Sequence, residues 1–275
     1  MPFGWLFLVS IIAGLLGSLS GVGGGIVLIP VLTSFGVDIK QAITVSTLSI
    51  VVISTSAAPS YVRRHMPNLK ASAFLEMFAI SGAFIGALIT LATGRRFLFF
   101  LCGGIIWASC IILWRQQEAA EVHITRQDPF SRWLGLEGSY YDDVEGRTIA
   151  YRGDHALLAG LMMFGTGVIA GLLGMGSSAL TVLVLKEVMG LPTKVSLTTS
   201  SLIIGVMALA GVNVYLEAGL INPQLVVPMI LGVPLGALMG SKMLVQLQNR
   251  MARLVLLVVL IAWGIEMVAH GIRGS

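Results

Sequence analysis

Apolar runs at about 5–19, 25–35, 41–61, 71–92 and 97–114, and again at 155–173, 178–189, 195–216, 223–241 and 252–269, leave this chain one kind of fold. Runs near 20 residues span a bilayer as helices. A lipid-exposed strand would need barrel closure and alternating polarity, and no such alternation occurs. Only 11% of the 275 residues are charged, against about 25% in soluble domains. Lipid must therefore replace water over most of the surface, and the chain reads as an all-α, multi-pass membrane protein.

The net charge of +4 does not point to nucleic acid, because the basic residues gather at the ends of apolar runs rather than in a stripe. Positive-inside bias explains that placement. Arg63, Arg64 and Lys70, then Lys186 and Lys194, then Lys242, Arg250 and Arg253 can all face the cytoplasm if each half crosses an odd number of times. The polar stretch 115–153 then lies inside and both termini outside. Arg95 and Arg96 run against this bias. The start, MPFGWLFLVSIIAG, has no basic region before its apolar run, so a cleaved signal peptide is not expected.

Catalytic constellations are missing from the pattern. His65, His123, His155 and His270 are scattered without ligand spacing, and no Gly-x-Ser-x-Gly elbow occurs. Cys102 and Cys110 share one apolar run and read as small buried hydrophobes. Neither an enzyme, a cofactor nor a metal site is expected.

The chain divides into a first repeat (1–114), a cytoplasmic linker (115–153) and a second repeat (154–275). AGLLGSLSGVGGG at 13–25 echoes AGLLGMGSS at 170–178. GVDIKQAITVSTLSI at 36–50 echoes GLPTKVSLTTSSLII at 190–204, and SGAFIGALI at 81–89 echoes LGVPLGALM at 231–239. Order and spacing are both kept, which marks an internal duplication of about five helical segments per half. With an odd number of crossings the repeats are inverted, an arrangement used by transporters. Within the linker, EGSYYDDVEGRTIAY could form a hairpin with Gly146 in its turn.

Gly21, Gly23, Gly24 and Gly25 interrupt the first apolar stretch, and Gly174 and Gly176 with Ser177 and Ser178 interrupt its echo. Each glycine costs a helix about 1 kcal/mol against alanine. Freed amides at membrane depth are tolerated only against protein or a wet cavity. The segments 5–19 and 25–35 look too short to span singly and read as one broken pair. A helix starting after such a break carries about half a positive charge at its N-terminus and attracts anions. Two breaks meeting near the midplane would make an anion site without a full charge. The competing account is close packing of small residues at helix crossings. A nucleotide P-loop is excluded, since no Gly-Lys-Ser/Thr follows either cluster.

The GxGGG break after GLLG, the lysine-led hydroxyl segment after a short loop, and their duplication resemble the sulfite exporter (TauE/SafE) family over nearly the whole chain outside the linker. That resemblance implies movement of sulfite, a sulfonate or a related organic acid. An anion channel would use the same pocket without alternating gates.

Polar side chains inside the runs supply further candidates. Ser46 and Thr47, matched by Ser200 and Ser201, are expected to line the pocket. Lys40 and Lys194, also matched, could attract the anion at two entrances. Glu76, at membrane depth, is a candidate proton carrier coupled to anion movement. Asn213 could add an amide donor, and Glu266 and His270, one turn apart, could pair. Pro223, Pro228 and Pro234 predict an irregular helix.

Overall fold

In a computed structural model, the described residues are 3–20, 25–63, 66–115, 127–142, 146–244 and 250–273. The first half holds α1 (Phe3–Ser20), α2 (Gly25–Ser34), α3 (Ile39–Arg63), α4 (Leu69–Ala92) and α5 (Arg95–Arg115). The linker contributes α6 (Pro129–Trp133), β1 (Glu137–Asp142) and β2 (Arg147–Arg152). The second half holds α7 (Ala156–Leu173), α8 (Ser178–Leu183), α9 (Thr193–Glu217), α10 (Pro223–Leu244) and α11 (Arg250–Arg273). A π-helical turn, Val184–Val188, carries α8 onward.

Among the described residues, α3, α4, α7, α9 and the Pro223–Gly240 part of α10 are long and apolar enough to cross a membrane. Helix α1 has 18 residues, about 27 Å of length. Its apolar part, Phe3–Leu15, is shorter than a full span, and α2 has 10 residues, about 15 Å. The prolines Pro228 and Pro234 lie inside α10, which continues through them.

Helix α4 shows why lipid is the solvent. Met77, Phe84 and Leu88 are exposed, while Ala79, Gly82, Ala83, Gly86 and Ala87 are buried. Large apolar groups face outward and small ones inward, the reverse of a soluble helix. Small inward residues let backbones touch, as membrane helix association requires. A side chain at Gly82 or Gly86 would strike the carbonyl oxygens of Phe164 and Val168 on α7, and one at Gly167 or Gly171 those of Ala79 and Ala83 on α4. The same contact joins α1 to α10, where Gly14 meets Val233 and Gly236 meets Ile11. Helix α5 packs on α11, and α3 on α9. The duplicated SGAFIGALI and LGVPLGALM segments thus supply the crossing glycines.

Two faces of the bundle can be told apart. At one, Arg95 Nε lies 2.9 Å from Asp38 Oδ2, Lys40 Nζ donates to the Leu91 carbonyl at 2.8 Å, and Trp5 meets Phe35 edge-on. Ser34 Oγ donates to Glu266, and His270 stacks on Phe99. The beginnings of α1, α3 and α5 and the end of α11 therefore share this face. Glu266 and His270 each meet a neighbouring helix. Arg95, which runs against the charge bias, has a carboxylate beside it.

The other face carries the linker. Strands β1 and β2 pair antiparallel from Glu137↔Arg152 to Asp142↔Arg147, and Gly146 takes φ +62° in the turn. This two-stranded sheet is an addition to an otherwise helical chain, at the place the hairpin was expected. Its docking runs through Asn68. Oδ1 of Asn68 accepts from Ala71 N and caps α4, its Nδ2 donates to the Leu136 carbonyl at 3.3 Å, and its N–H donates to Thr199 Oγ1 on α9 at 3.0 Å. Buried Asp154 accepts from the Asp128 and His155 amides at 2.7 and 2.8 Å, while its own amide donates to the Met189 carbonyl at 3.1 Å. Burial pushes the Tyr151 phenol up, opposed by a hydrogen bond with Asn68. Removing a buried capping amide costs about 1–2 kcal/mol. Asn68→Ala is expected to loosen residues 136–153 selectively. Amide exchange should quicken there at least several-fold while α7 and α9 stay protected.

Candidate functional site

The second break is built from four residues with few ordinary choices of backbone. Gly174 and Gly176 take φ +60° and +69°, the left-handed region that favours glycine. The Gly174 amide donates to the Ala170 carbonyl at 2.8 Å and closes α7. The carbonyls left over at the end of α7 are satisfied by hydroxyls from three other helices. Tyr215 OH on α9 donates to Gly171, Thr90 Oγ1 on α4 donates to Leu172 at 2.6 Å, and Ser46 Oγ on α3 donates to Gly174. That is how an interrupted helix survives at membrane depth, where an unpaired carbonyl costs several kcal/mol. Thr90 and Tyr215 were missed by sequence reading. A tyrosine inside an apolar span was the available signal.

The first break comes to the second. A first side-chain carbon on Gly25 would lie 2.7 Å from the Gly174 carbonyl oxygen and 2.9 Å from Met175 Cα. Helix α2 therefore starts against the second interruption. Gly21, Gly23 and Gly24 lie outside the described residues.

Beside this junction is a cavity of about 10 Å³ bounded by Thr47 and Ile50 of α3, by Gly174 and Gly176, and by Ile204, Met207 and Gly211 of α9. Its volume matches roughly one water molecule. Ile50 and Ile204 each stand eleven residues into 25-residue helices, about 16 Å along about 37 Å. The cavity is thus near mid-height. Ile50, Ile204, Met207 and Gly211 were not singled out from sequence, since apolar lining looks like any other membrane residue.

The predicted residues separate into those at the junction and those elsewhere. Thr47 lines the cavity, although its Oγ1 also bonds the Ile43 carbonyl at 2.8 Å. Ser177 Oγ donates to the Thr166 carbonyl at 3.0 Å. Ser178 is different. It is only 1% exposed, and its hydroxyl has no hydrogen-bond partner, alone among buried side-chain polar atoms of the described residues. Ser200 bonds the Leu197 carbonyl on its own helix at 2.9 Å. Ser201 meets α3 through its backbone carbonyl, which accepts from Ser54 Oγ. Asn213 is exposed. The ammonium of Lys40 is engaged by the end of α4. Half-buried Glu76 accepts from Ser72 Oγ, one turn earlier, at 2.7 Å, and does not line the cavity. Lys194, near the start of α9, accepts from Thr198 Oγ1 through its carbonyl at 2.9 Å. No group of three or more His, Cys, Asp and Glu placed to hold a metal occurs among the described residues.

The chain is similar to known membrane proteins along its length. It is 24% identical to the probable membrane transporter protein YunE of Bacillus subtilis (strain 168), across 99% of both chains. It is 26% identical to the probable membrane transporter protein YdhB of the same organism, across 86% of both. A probable membrane transporter protein, ORF9, of Sinorhizobium sp is 35% identical over 85 residues, about a third of each chain. No solved structure matches. The profile of the family described as sulfite exporter TauE/SafE matches residues 6–267. Apolar spans on both sides of the linker and a match running almost end to end agree: the chain belongs to the sulfite exporter TauE/SafE family of membrane transporters.

Proposed function

We propose that the protein is a secondary transporter that moves a small anion, sulfite or a sulfonate, across the bacterial inner membrane by alternating access. The anion sits where α2 and α8 begin, against Gly174–Ser178. The observation that carries this reading is the orphaned Ser178 hydroxyl, buried beside two helix interruptions that meet.

The halves 1–114 and 154–275 act as inverted repeats around this site, with 115–153 as the linker between them. Supporting that arrangement, α3 begins at the Asp38 face and its sequence match α9 begins at the linker face. The first long helix of each half also packs on the fourth of the other, α1 on α10 and α7 on α4. The small size of the cavity and the Asn68–Thr199 bond fit an occluded state, with the linker-side mouth shut. Lys40 and Lys194 hold the ends of matched helices and set positive charge near each mouth. Proton movement accompanies the anion.

A buried, unbonded hydroxyl costs about 1–3 kcal/mol. Ser178→Ala removes that penalty, so the variant is expected to be as thermostable as the parent or more so. Transport of labelled sulfite into proteoliposomes is expected to fall at least tenfold. A variant that keeps full transport returns the break to helix packing.

A further inference from the structure

The short linker helix α6 is fixed against the spanning helices at two points. Ser131 Oγ accepts at 3.1 Å from the amide of Ala156, the first residue of α7. Phe130 meets Phe74 of α4 edge-on, with ring centroids 5.8 Å apart. Phe74 meets Phe78, one turn further into α4, at 5.4 Å, and Trp133 lies 5.9 Å from Phe130 at the other end. Four rings thus run from the span to the last residue of α6. Helix α4 has 24 residues, about 36 Å of length, against a hydrocarbon core of about 30 Å. Phe74 stands near its start, about 8 Å along its axis, where headgroups meet acyl chains. Helix α6 therefore does not stand off the bundle in water; it lies at the edge of the bilayer.

Its outward side chains suit that place. Trp133 is 78% exposed, the most exposed large apolar side chain among the described residues. A tryptophan with its ring on an apolar ladder and its N–H free for a polar partner belongs in the headgroup layer. Leu69, Leu157 and Leu161, also exposed, continue the lipid-facing surface down α4 and α7. Two cations flank the ring. Arg132 is exposed beside it. Lys70, one turn before Phe74, is exposed too, and a first side-chain carbon on Gly135, just past α6, would lie 2.9 Å from its Nζ. Among the described residues neither cation makes an ion pair. The acids of this region are turned elsewhere: Asp128 stands at the opposite end of α6, Glu137 lies 3.8 Å from Arg152, buried Asp154 accepts two amides, and Glu76 accepts from Ser72. We infer that α6 is a membrane-surface anchor: the Trp133 indole sits among the headgroups of the linker-side leaflet, and Lys70 and Arg132 hold the phosphate of an anionic lipid there. Both side chains suit phosphate, the ammonium as a point charge and the guanidinium as a fork.

The test uses the full chain in vesicles of phosphatidylcholine and phosphatidylglycerol, with the emission that Trp133→Phe removes as the signal of Trp133 alone. That emission is expected to fall about twofold with lipid brominated near the headgroup and little with aqueous iodide. Emission quenched by iodide and indifferent to brominated lipid overturns the anchor and leaves α6 a face open to water or to a soluble partner. The headgroup is read by brominating only one of the two lipids at equal mole fraction. Brominated phosphatidylglycerol is expected to quench more strongly, as an enrichment of about fivefold for each of the two cations, and salt is expected to weaken the preference. Lys70→Gln with Arg132→Gln should make the two lipids quench alike, whereas Arg152→Gln, which removes the same charge from strand β2, should keep the preference. Equal quenching by both lipids around the parent overturns the phosphate site. A preference that survives the double variant, or that Arg152→Gln lowers as much, overturns it as well.

Discussion

Replacing Gly174 by valine is expected to lower sulfite transport by more than tenfold, to background. Two costs act together. Gly174 has φ +60°, where an L-residue loses roughly 1–2 kcal/mol and a β-branched one more. Its new Cβ would also stand 2.6 Å from both the Ile43 carbonyl oxygen and Thr47 Oγ1. Both atoms belong to α3, whose Ser46 is already bonded to Gly174. To seat the side chain, α3 must draw away from the end of α7, opening the junction and displacing Thr47 from the cavity. Gly219→Val provides the comparison, because Gly219 has φ +68° with nothing near it. It shares the backbone strain and none of the crowding, so its transport is expected to stay near that of the parent. Equal loss in both variants would mean that strain alone explains the result.

The second large effect concerns assembly. Gly86→Leu is expected to destabilise the folded protein by about 3 kcal/mol, the upper end for overpacking. The obstacles are the Val168 carbonyl oxygen and the Leu172 amide nitrogen of α7, and backbone cannot rotate aside as a side chain can. Helices α4 and α7 must separate, which also pulls Thr90 from the Leu172 carbonyl. Gly104, on α5, has nothing within 4 Å, and Gly104→Leu is expected to be tolerated. The measurement is the monodisperse fraction after detergent extraction, followed by thermal unfolding. The Gly86 variant should fail both and the Gly104 variant neither.

Much of this architecture can be read from the chain because the bilayer leaves few alternatives. Apolar runs must be helices, and the runs predicted at 41–61, 71–92, 155–173 and 195–216 lie within or almost within α3, α4, α7 and α9. Gly146 marks its turn because few residues take a positive φ at low cost. The glycine pattern was legible as a pattern but not as a set of roles. AGLLG serves twice: Gly171 touches Ala83 across a helix crossing, and Gly174, one turn later, ends the helix beside the cavity. Spacing does not separate a glycine needed for approach from one needed for φ.

Hydroxyl roles were less legible still. Ser46 and Ser200 hold matched positions, yet one bonds the Gly174 carbonyl on another helix and the other its own Leu197. A serine in a helix chooses between its own preceding turn and a neighbour through a rotamer and a helix rotation, and neither is written in sequence spacing. Lys40, read as an entrance charge, also has a contact that spacing does not show: a cation near a helix C-terminus is stabilised by the dipole, and the end of α4 is within its reach. Ser178 was legible as a candidate. Only the packed structure shows that its hydroxyl is left without a partner.

The most direct measurement is where an anion binds. Crystals of the protein soaked with selenite, whose selenium scatters anomalously, should show one peak at the junction of Gly25 with Gly174–Ser178, within hydrogen-bond reach of Ser178 Oγ, and the peak should vanish with excess sulfite. A displaceable peak at another place, with this junction dry and empty, would contradict the account.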